Sequence, residues 1–180
     1  MIAFGNYIIR PVTLADAGSF FQMVEDNRQR ISTYFPGIVT RTNSLEETKS
    51  HIAERIEGAE KGKYMIYLII DNLNQAIAGA IQLKDIDFNA RKREFGYFVD
   101  KHYENKGIAT QSILAVSKYC FNTLNLNKVF MRIAEENTAS RRVAEKCGFK
   151  LEGIMRNDFM TSDNKLINLF YYGLLKEELL

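Results

Sequence analysis

The segment EFGYFVDKHYENKGIAT, residues 94–110, joins an apolar stretch typical of a buried strand to an amphipathic helix. The connection is longer and more polar than a turn and a cap require, and it contains Lys106 and Gly107. Gly107 has no side chain to keep a ligand away, and Asn105 tolerates a left-handed backbone. Because the next helix presents unpaired N–H groups at its positive end, the segment predicts an anion site that suits a diphosphate. The turn alone is also consistent with an ordinary connection that bears a surface lysine.

Length and composition limit what the rest of the chain can be. The 180 residues are 46% hydrophobic and 26% charged, which suits one compact domain covering residues 1–180. A net charge of +2 is too small to favour nucleic acid or a membrane surface as a partner through bulk electrostatics. No apolar run approaches a membrane span and no signal-peptide pattern is present, so we expect a cytoplasmic location.

The cysteines and histidines do not form a metal-binding pattern. Cys120 and Cys147 fall in apolar helical patterns, so we expect them to be buried and reduced rather than joined in a disulfide. His51 and His102 lie far apart and lack the spacing of metal ligands. The sequence therefore predicts no metal site.

Hydrophobic periodicity and capping residues predict an α+β fold. Predicted strands cover about 7–10, 64–70, 76–83, 94–100, 127–134, 149–159 and 166–174. Predicted helices cover about 13–26, 44–60, 108–120 and 138–147, and YFPGI at 34–38 is predicted to be a loop. This order indicates a central mixed sheet, mostly antiparallel, of about seven strands flanked by helices.

A second motif lies downstream of the opening segment. The sequence ENTASRRVAEKCGF, residues 136–149, follows the strand-to-helix turn in an order that resembles the Gcn5-related N-acetyltransferase (GNAT) superfamily. The details are similar to its RimJ/RimL branch, which acetylates the N-termini of ribosomal proteins. With YIIRPVTLADA at 7–17 and YYGLLKEE at 171–178, the resemblance covers nearly the whole chain. It implies acetyl-CoA as the co-substrate and a sheet that is splayed at the cofactor-binding strand.

The resemblance also implies which residues hold acetyl-CoA. In the family, a turn with Arg or Gln, two residues, Gly, one residue and then Gly or Ala holds the diphosphate with its amides. Residues 104–109 correspond to it, and Glu104 departs from the pattern by placing a carboxylate beside phosphates unless it turns toward solvent or Lys106. Asn137 matches the residue that bonds the cofactor arm, and it also suits a helix N-cap. The implied cofactor-binding residues are Tyr97, Phe98, Val99, Asn105, Lys106, Gly107, Ile108, Ala109, Thr110 and Asn137.

Acyl transfer from a thioester also needs an acid for the departing sulfur. Many superfamily members use a tyrosine four residues before the Gly–Phe pair, where this chain has Ala144. The RimJ/RimL branch uses a serine instead, which matches Ser140. The same helix carries Arg141, Arg142 and Lys146, which either form a solvated face or contact the ribose phosphate of the cofactor.

The remaining steps need a base for the amine and a donor to the carbonyl oxygen. Glu94 is the candidate base, directly or through water, and its alternative role is an ion pair with Arg91 or Arg93. A strand amide near Val99 is the candidate donor to the carbonyl oxygen. Aromatic candidates for the acceptor cleft, which packing in the core would equally explain, are Tyr34, Tyr171 and Tyr172.

The resemblance therefore predicts an acetyl-CoA-dependent N-acetyltransferase with Ser140 and Glu94 as its catalytic residues. The leading acceptor is the α-amino group of a protein, ribosomal proteins included. Small amines such as aminoglycosides, polyamines or amino sugars are an alternative, and so is a non-catalytic acetyl-CoA-binding module. We expect no direct nucleic-acid or membrane partner, and the oligomeric state, a homodimer included, is left open.

Overall fold

The computed structural model describes residues 1–179, which contain eight strands and five helices. The strands are β1 (Ile2–Phe4), β2 (Tyr7–Pro11), β3 (Met65–Asp71), β4 (Ile77–Asp87), β5 (Lys92–Val99), β6 (Lys128–Ala134), β7 (Lys150–Met160) and β8 (Leu166–Leu175). The helices are α1 (Ala17–Ile31), α2 (Pro36–Val39), α3 (Leu45–Glu60), α4 (Ile108–Asn122) and α5 (Thr138–Lys146). Short 3₁₀ turns cover Leu14–Asp16, Lys101–Tyr103 and Lys176–Glu178.

All eight strands form one sheet in the order β1-β2-β3-β4-β5-β6-β8-β7. Neighbouring strands are antiparallel except β5 and β6, which run parallel. The β5–β6 ladder joins only Lys92–Glu94 to Lys128–Phe130, although both strands continue beyond it. The two strands therefore diverge after Glu94, and the predicted mixed, splayed sheet is confirmed.

The two faces of the sheet carry separate cores, as alternation along a strand requires. On one face, α1, α2 and α3 pack over β3 and β4; on the other, α4 and α5 pack over β5, β6 and β8. The neighbours Leu68 and Ile69, for example, belong to different cores. Among residues 1–179, the core under α1–α3 takes no side chain from β6, β7 or β8. That side of these three strands is therefore left open next to the splay.

Two capping motifs predicted from the sequence start the helices of the first layer. The Ser44 hydroxyl accepts the Glu47 N–H at 3.2 Å, so α3 begins where predicted. The Asp16 carboxylate accepts the N–H and the hydroxyl of Thr13, each at 2.8 Å, and pairs with Arg10 at 2.7 Å. The ion pair between Arg10 and Asp16 ties the end of β2 to the start of α1.

The structure differs from the predicted elements in four places. Strand β4 continues to Asp87, four residues past its predicted end, because the stretch after Leu83 extends the pairing with β5. Strand β1 lies outside the predicted strands, because three residues are too few to show alternation, and the total is eight instead of about seven. Residues 34–38 are not a loop: Pro36 has the φ that a first helical turn needs, and α2 follows. Helix α1 continues past its predicted end near Asp26 because Asn27 and Ile31 are buried.

The two cysteines contribute to packing, as predicted. Cys120 and Cys147 are buried with free thiols, and burial raises the pKa of each thiol to about 12. No group of three or more His, Cys, Asp or Glu side chains within residues 1–179 is arranged to hold a metal ion. In the same range, no helix has both the length and the apolar character needed to cross a bilayer.

Candidate active site

Two adjoining cavities lie where β5 and β6 diverge. The larger is a groove of about 660 Å³ that runs from the end of β5 to the first turns of α4 and α5. The smaller is a chamber of about 130 Å³ whose lining includes Glu94, Arg132 and Leu169. Five residues line both cavities and define their junction: Tyr34, Phe35, Tyr97, Asn137 and Ser140. The splay thus brings three of the predicted site residues to one place.

The groove is lined by nearly all of the residues predicted to bind the cofactor. They are Tyr97, Phe98, Val99, Asn105, Gly107, Ile108, Ala109, Thr110 and Asn137. Lys106 is different, because its ammonium group donates to the His102 carbonyl at 2.9 Å and lies over the Tyr103 ring. Lys106 can therefore serve the groove through its backbone amide rather than through its charge.

The turn before α4 has the backbone conformation that an anion site requires. Asn105 and Gly107 have φ angles of 60° and 74°, in the left-handed region. Gly107 is the N-cap of α4, so the N–H groups of the next three residues have no acceptor within the helix. These N–H groups and the positive end of the helix dipole border the groove at the residues predicted to cradle a diphosphate.

Glu104 forms an ion pair with Arg30 from the last turn of α1, and both residues line the groove. The Glu104 side chain is 45% exposed, so it turns toward solvent as one of the two expected orientations required, and its ionic partner is Arg30 rather than Lys106. A guanidinium group is thus present beside the turn, although it comes from another element rather than from the family's motif position. The two residues lie 74 positions apart, so no local pattern links them.

Helix α5 presents two of its three cations to the groove. Arg142 and Lys146 line it, about one helical turn apart. The guanidinium of Arg141 instead lies 4.5 Å from the Phe170 ring centroid and donates to the Tyr172 hydroxyl at 3.4 Å. Arg142 and Lys146 therefore remain candidates for contact with the cofactor's ribose phosphate, whereas Arg141 packs against β8.

The edge of β5 that borders the gap carries unpaired backbone groups. The Asp100 N–H donates to the Ala78 carbonyl at 2.9 Å, which sets the alternation of the β4–β5 ladder. In that register, Tyr97 and Val99 direct their N–H and C=O groups away from β4. The β5–β6 ladder ends before both residues, so these groups open into the cavities.

Ser140 lies in the first turn of α5, at the junction of the cavities. Asn137 is the N-cap, and its Oδ1 accepts the Ser140 N–H at 3.1 Å. The amide nitrogen of Asn137 has no hydrogen-bond partner in the described chain, so the capping role and the predicted ligand role use different atoms. The Ser140 hydroxyl oxygen accepts from the Tyr97 hydroxyl at 3.2 Å. Ala144, at the usual tyrosine position, is fully buried.

Glu94 is buried in the chamber, 3% exposed, between two cations. One carboxylate oxygen accepts from Arg132 at 2.6 and 2.9 Å, and the other pairs with the Lys84 ammonium at 3.0 Å. The predicted ion-pair partners were Arg91 and Arg93, whereas the structure gives Arg132 and Lys84. Arg93 instead donates to a backbone carbonyl. Glu94 therefore anchors two cations inside the chamber.

One of the three tyrosines considered for the acceptor cleft lines the cavities. It is Tyr34, and burial, followed by a nearby glutamate, raises the pKa of its hydroxyl. Tyr171 stacks on a neighbouring phenylalanine with ring centroids 4.7 Å apart, and Tyr172 is buried with its hydroxyl on a glutamate of α5. Tyr171 and Tyr172 therefore contribute to packing, which was the alternative to a role in the acceptor cleft.

The sequence did not predict four residues that the structure adds to the site: Arg30, Phe35, Lys84 and Arg132. The signal for Arg132 is a charge within the otherwise apolar stretch of β6. Lys84 is the Cα partner of Glu94 across the β4–β5 hairpin, so it follows once the register is known. Arg30 and Phe35 have no comparable signal in the sequence.

A sheet split between two parallel strands, with a helix N-terminus beside the split, is the arrangement expected of an N-acetyltransferase. Residues 6–150 match the family described as the acetyltransferase (GNAT) domain. The chain belongs to this family and is an N-acetyltransferase.

Individual relatives include enzymes with different acceptors. YdaF of Bacillus subtilis (strain 168), provisionally named a ribosomal N-acetyltransferase, is 32% identical over 177 residues, 94% of this chain and 91% of that protein. The ribosomal-protein-S5-alanine acetyltransferase from Vibrio fischeri matches with a TM-score of 0.90 at 18% identity, over 99% of this chain and 97% of its own. Spermidine N-acetyltransferase from Vibrio cholerae, in complex with CoA and spermine, matches with a TM-score of 0.81 at 21% identity, over 96% and 97%. The two structures agree with this chain in fold and leave the acceptor open.

Proposed function

We propose that residues 1–180 act as one domain that transfers the acetyl group of acetyl-CoA to the α-amino group at a protein N-terminus. The amine attacks the thioester directly in a ternary complex, so no covalent enzyme intermediate is needed. The evidence for the transferase activity is the membership of the chain in the acetyltransferase (GNAT) family. The choice of acceptor rests on the charge of the chamber and on the surface beside it.

The groove has a feature for each part of acetyl-CoA. The amides of residues 108–110 border the place for the diphosphate, and Arg142 and Lys146 border that for the ribose phosphate. The outward C=O group of Tyr97 and both backbone groups of Val99 can pair with the amides of the pantetheine arm, as an added strand would. This arrangement puts the thioester at the junction of groove and chamber.

The charge of the chamber is the observation that favours a protein N-terminus over a polyamine. Among the residues whose side chains the structure describes, the charged ones in its lining are Lys84, Glu94 and Arg132, two cations against one carboxylate. Counting Asp158, 3.6 Å from Arg132, brings the charge only to neutral. A polyamine carries several positive charges at neutral pH, and a site without negative excess does not offset their desolvation. An α-amino group carries at most one charge, and its pKa of about 8 leaves a useful fraction neutral.

An apolar surface beside the chamber suits a polypeptide. Phe159 and Leu169 line the chamber, and their cross-strand partners in the β7–β8 ladder are Ile167 and Met155. Paired residues share a face, so the four side chains form one surface on the open side of β7 and β8. Met155 is 46% exposed. An extended acceptor can bury this surface with its N-terminus in the chamber, whereas a linear polyamine gains little from apolar contact.

Each chemical step then has a candidate group. The amine nitrogen bonds to the carbonyl carbon while the C–S bond breaks, and the sulfur leaves with the bonding electrons. The N–H group of Tyr97, a residue that lines both cavities, is the donor for the carbonyl oxygen, and Ser140 gives a proton to the sulfur. Both oxygens of Glu94 are engaged by cations, so it accepts the amine proton through water rather than directly.

Thiol release from acetyl-CoA tests the acceptor. We expect release with peptides that have a free α-amino group, none with the same peptides blocked at that group, and a slower rate with spermidine and aminoglycosides. Mass spectrometry should place the added acetyl group on the first residue. Faster turnover of spermidine than of every peptide would refute the choice of acceptor and leave the transferase assignment in place.

A charge variant sharpens this test. Lys84→Glu turns the two-to-one excess of cations in the chamber lining into an excess of carboxylates, so spermidine turnover should rise relative to peptide turnover. Lys92→Glu makes the same change in β5 outside the lining of both cavities and serves as the matched control. Equal effects of the two variants on the ratio would contradict the role given to the chamber.

A further inference from the structure

The Tyr97 side chain makes a contact that the proposed steps do not use. Its hydroxyl donates to the Ser140 hydroxyl oxygen at 3.2 Å and so joins β5 to the first turn of α5. Within residues 1–179, neither hydroxyl has another hydrogen-bond partner. Both residues line the groove and the chamber, so the pair lies where the thioester and the amine would meet.

Both members of the pair are held in place by the fold. Asn137 accepts the Ser140 N–H at 3.1 Å and fixes the first turn of α5. The Tyr97 ring packs against the core under α4 and α5, and burial raises the pKa of its hydroxyl to about 12. Tyr97 therefore stays protonated at neutral pH. When it donates to the Ser140 oxygen, the hydrogen of the Ser140 hydroxyl is left to point into the junction.

We infer that Tyr97 is a positioning residue whose hydroxyl orients Ser140 to donate its proton to the leaving sulfur, an inference that rests on the proposed function. Ala144 supplies no hydroxyl, and its position is fully buried. The Tyr97 side chain reaches the same junction from the sheet, so its hydroxyl and that of Ser140 form a chain of two hydrogen-bonded hydroxyl groups beside the thioester. Hydrogen bonds in series polarise one another, which makes Ser140 a better donor than it would be alone.

The protons and electrons balance without a further reactant. As the C–N bond forms, the C–S bond breaks, and the sulfur takes the bonding pair and the proton of the Ser140 hydroxyl. The proton that the amine nitrogen loses passes through water to Glu94, and Glu94 then returns a proton through water to the serine oxygen. Tyr97 keeps its proton throughout, and its O–H group stabilises the negative charge that develops on the Ser140 oxygen.

A structural role for the contact makes a different prediction. A buried tyrosine usually finds a partner for its hydroxyl, and loss of that bond would lower stability. With a structural role, any fall in turnover on removal of the Tyr97 hydroxyl would be the same whether or not the Ser140 hydroxyl is present. With a positioning role, the fall in turnover requires the Ser140 hydroxyl, because the Tyr97 hydroxyl then acts only through Ser140.

Tyr97→Phe removes the hydroxyl and keeps the ring. We expect kcat to fall about tenfold, which is a part of the hundredfold or more that general-acid catalysis typically contributes, while the dissociation constant for CoA stays unchanged. In a Ser140→Ala background the same change should have no further effect on kcat. Tyr67→Phe is the matched control, since it removes the hydroxyl of a buried tyrosine on β3, outside both cavities. It should leave kcat at the wild-type value.

Two results would overturn the inference. One is an unchanged kcat for Tyr97→Phe under conditions in which chemistry limits the rate. The other is an equal fall in kcat with and without the Ser140 hydroxyl, which would make the contact structural. If the wild-type enzyme is active and either result is found, only this inference is refuted. If the wild-type enzyme releases no thiol with any acceptor, the proposed function and the inference are both refuted.

Discussion

Replacing Gly107 tests where the diphosphate of acetyl-CoA lies. The residue has φ of 74°, and an added Cβ would meet only the Gln111 side-chain nitrogen, at 3.8 Å, an ordinary contact. The protein alone therefore has room for a methyl group, and the cost of Gly107→Ala is backbone strain of about 1–2 kcal/mol. A phosphate held by the neighbouring amides would leave no such room, so the collision arises only with ligand bound.

The expected loss of CoA affinity is roughly tenfold to a hundredfold, equivalent to about 1.4–2.8 kcal/mol. Gly107→Asn separates the two effects, because asparagine tolerates the left-handed backbone but still carries a Cβ. Gly62→Ala is the matched control, with φ of 69° and a nearest neighbour 3.6 Å away in the Phe88 ring, outside both cavities. It should lose similar stability and keep wild-type affinity for CoA.

Calorimetric titration with CoA and thermal unfolding of the same samples separate these outcomes. Pantetheine, which lacks the diphosphate, should bind Gly107→Ala as it binds the wild type, because the added methyl group meets only the phosphates. Wild-type affinity of both Gly107 variants for CoA would refute the reasoning and place the diphosphate elsewhere in the groove.

Three further changes test other parts of the molecule. Ser140→Ala should lower kcat about a hundredfold or more in the thiol-release assay while CoA binding stays the same, and wild-type turnover would exclude a proton donor at this residue. Glu104→Gln should tighten CoA binding by roughly threefold and Arg30→Gln should weaken it similarly, with both effects shrinking as salt is added; salt-independent changes would argue against an electrostatic cause. Burial, and then two neighbouring arginines, lower the pKa of His51 from 6.5 to about 4, so its contribution to stability is complete above pH 6.5 and is lost as the pH falls toward 4. Denaturant unfolding should show a loss of up to about 3 kcal/mol across that window, which His51→Leu should abolish.

Features that depend on residues close together in the chain were predictable from the sequence. The cap at Ser44 needs only Glu47, and α3 begins at the predicted position. The turn before α4 follows the same rule, because both of its residues with positive φ are of types that adopt it: Asn105 tolerates the left-handed region, and Gly107 has no Cβ to oppose it. The physical cause in each case lies within a few residues, so a single sequence contains it.

Contacts across the splay were not predictable, because they depend on which strands diverge and how far. Periodicity places Arg132 and Glu94 on faces of their own strands, but it does not show that β5 and β6 are neighbours or that they part after Glu94. The chamber charge therefore could not be derived before the fold was known. The same holds for Phe35, which α2 brings to the junction although its surrounding sequence suggests a loop.

The pairing of Arg30 with Glu104 shows why a departure from a motif need not mean a loss of binding. A diphosphate requires positive potential and N–H groups at the helix start. The positive charge can come from any element that lies near the turn. The Arg30 and Glu104 side chains are 41% and 45% exposed, so water screens their attraction and the pair is weak. An arriving diphosphate can therefore draw Arg30 away from Glu104 at little cost, and it gains a guanidinium that holds phosphate in two hydrogen bonds. Glu104 in turn keeps Arg30 at the groove while no ligand is bound. On this reasoning Glu104 still repels the phosphates weakly, as the tighter binding expected of Glu104→Gln reflects, and the Arg30 guanidinium beside it offsets that repulsion.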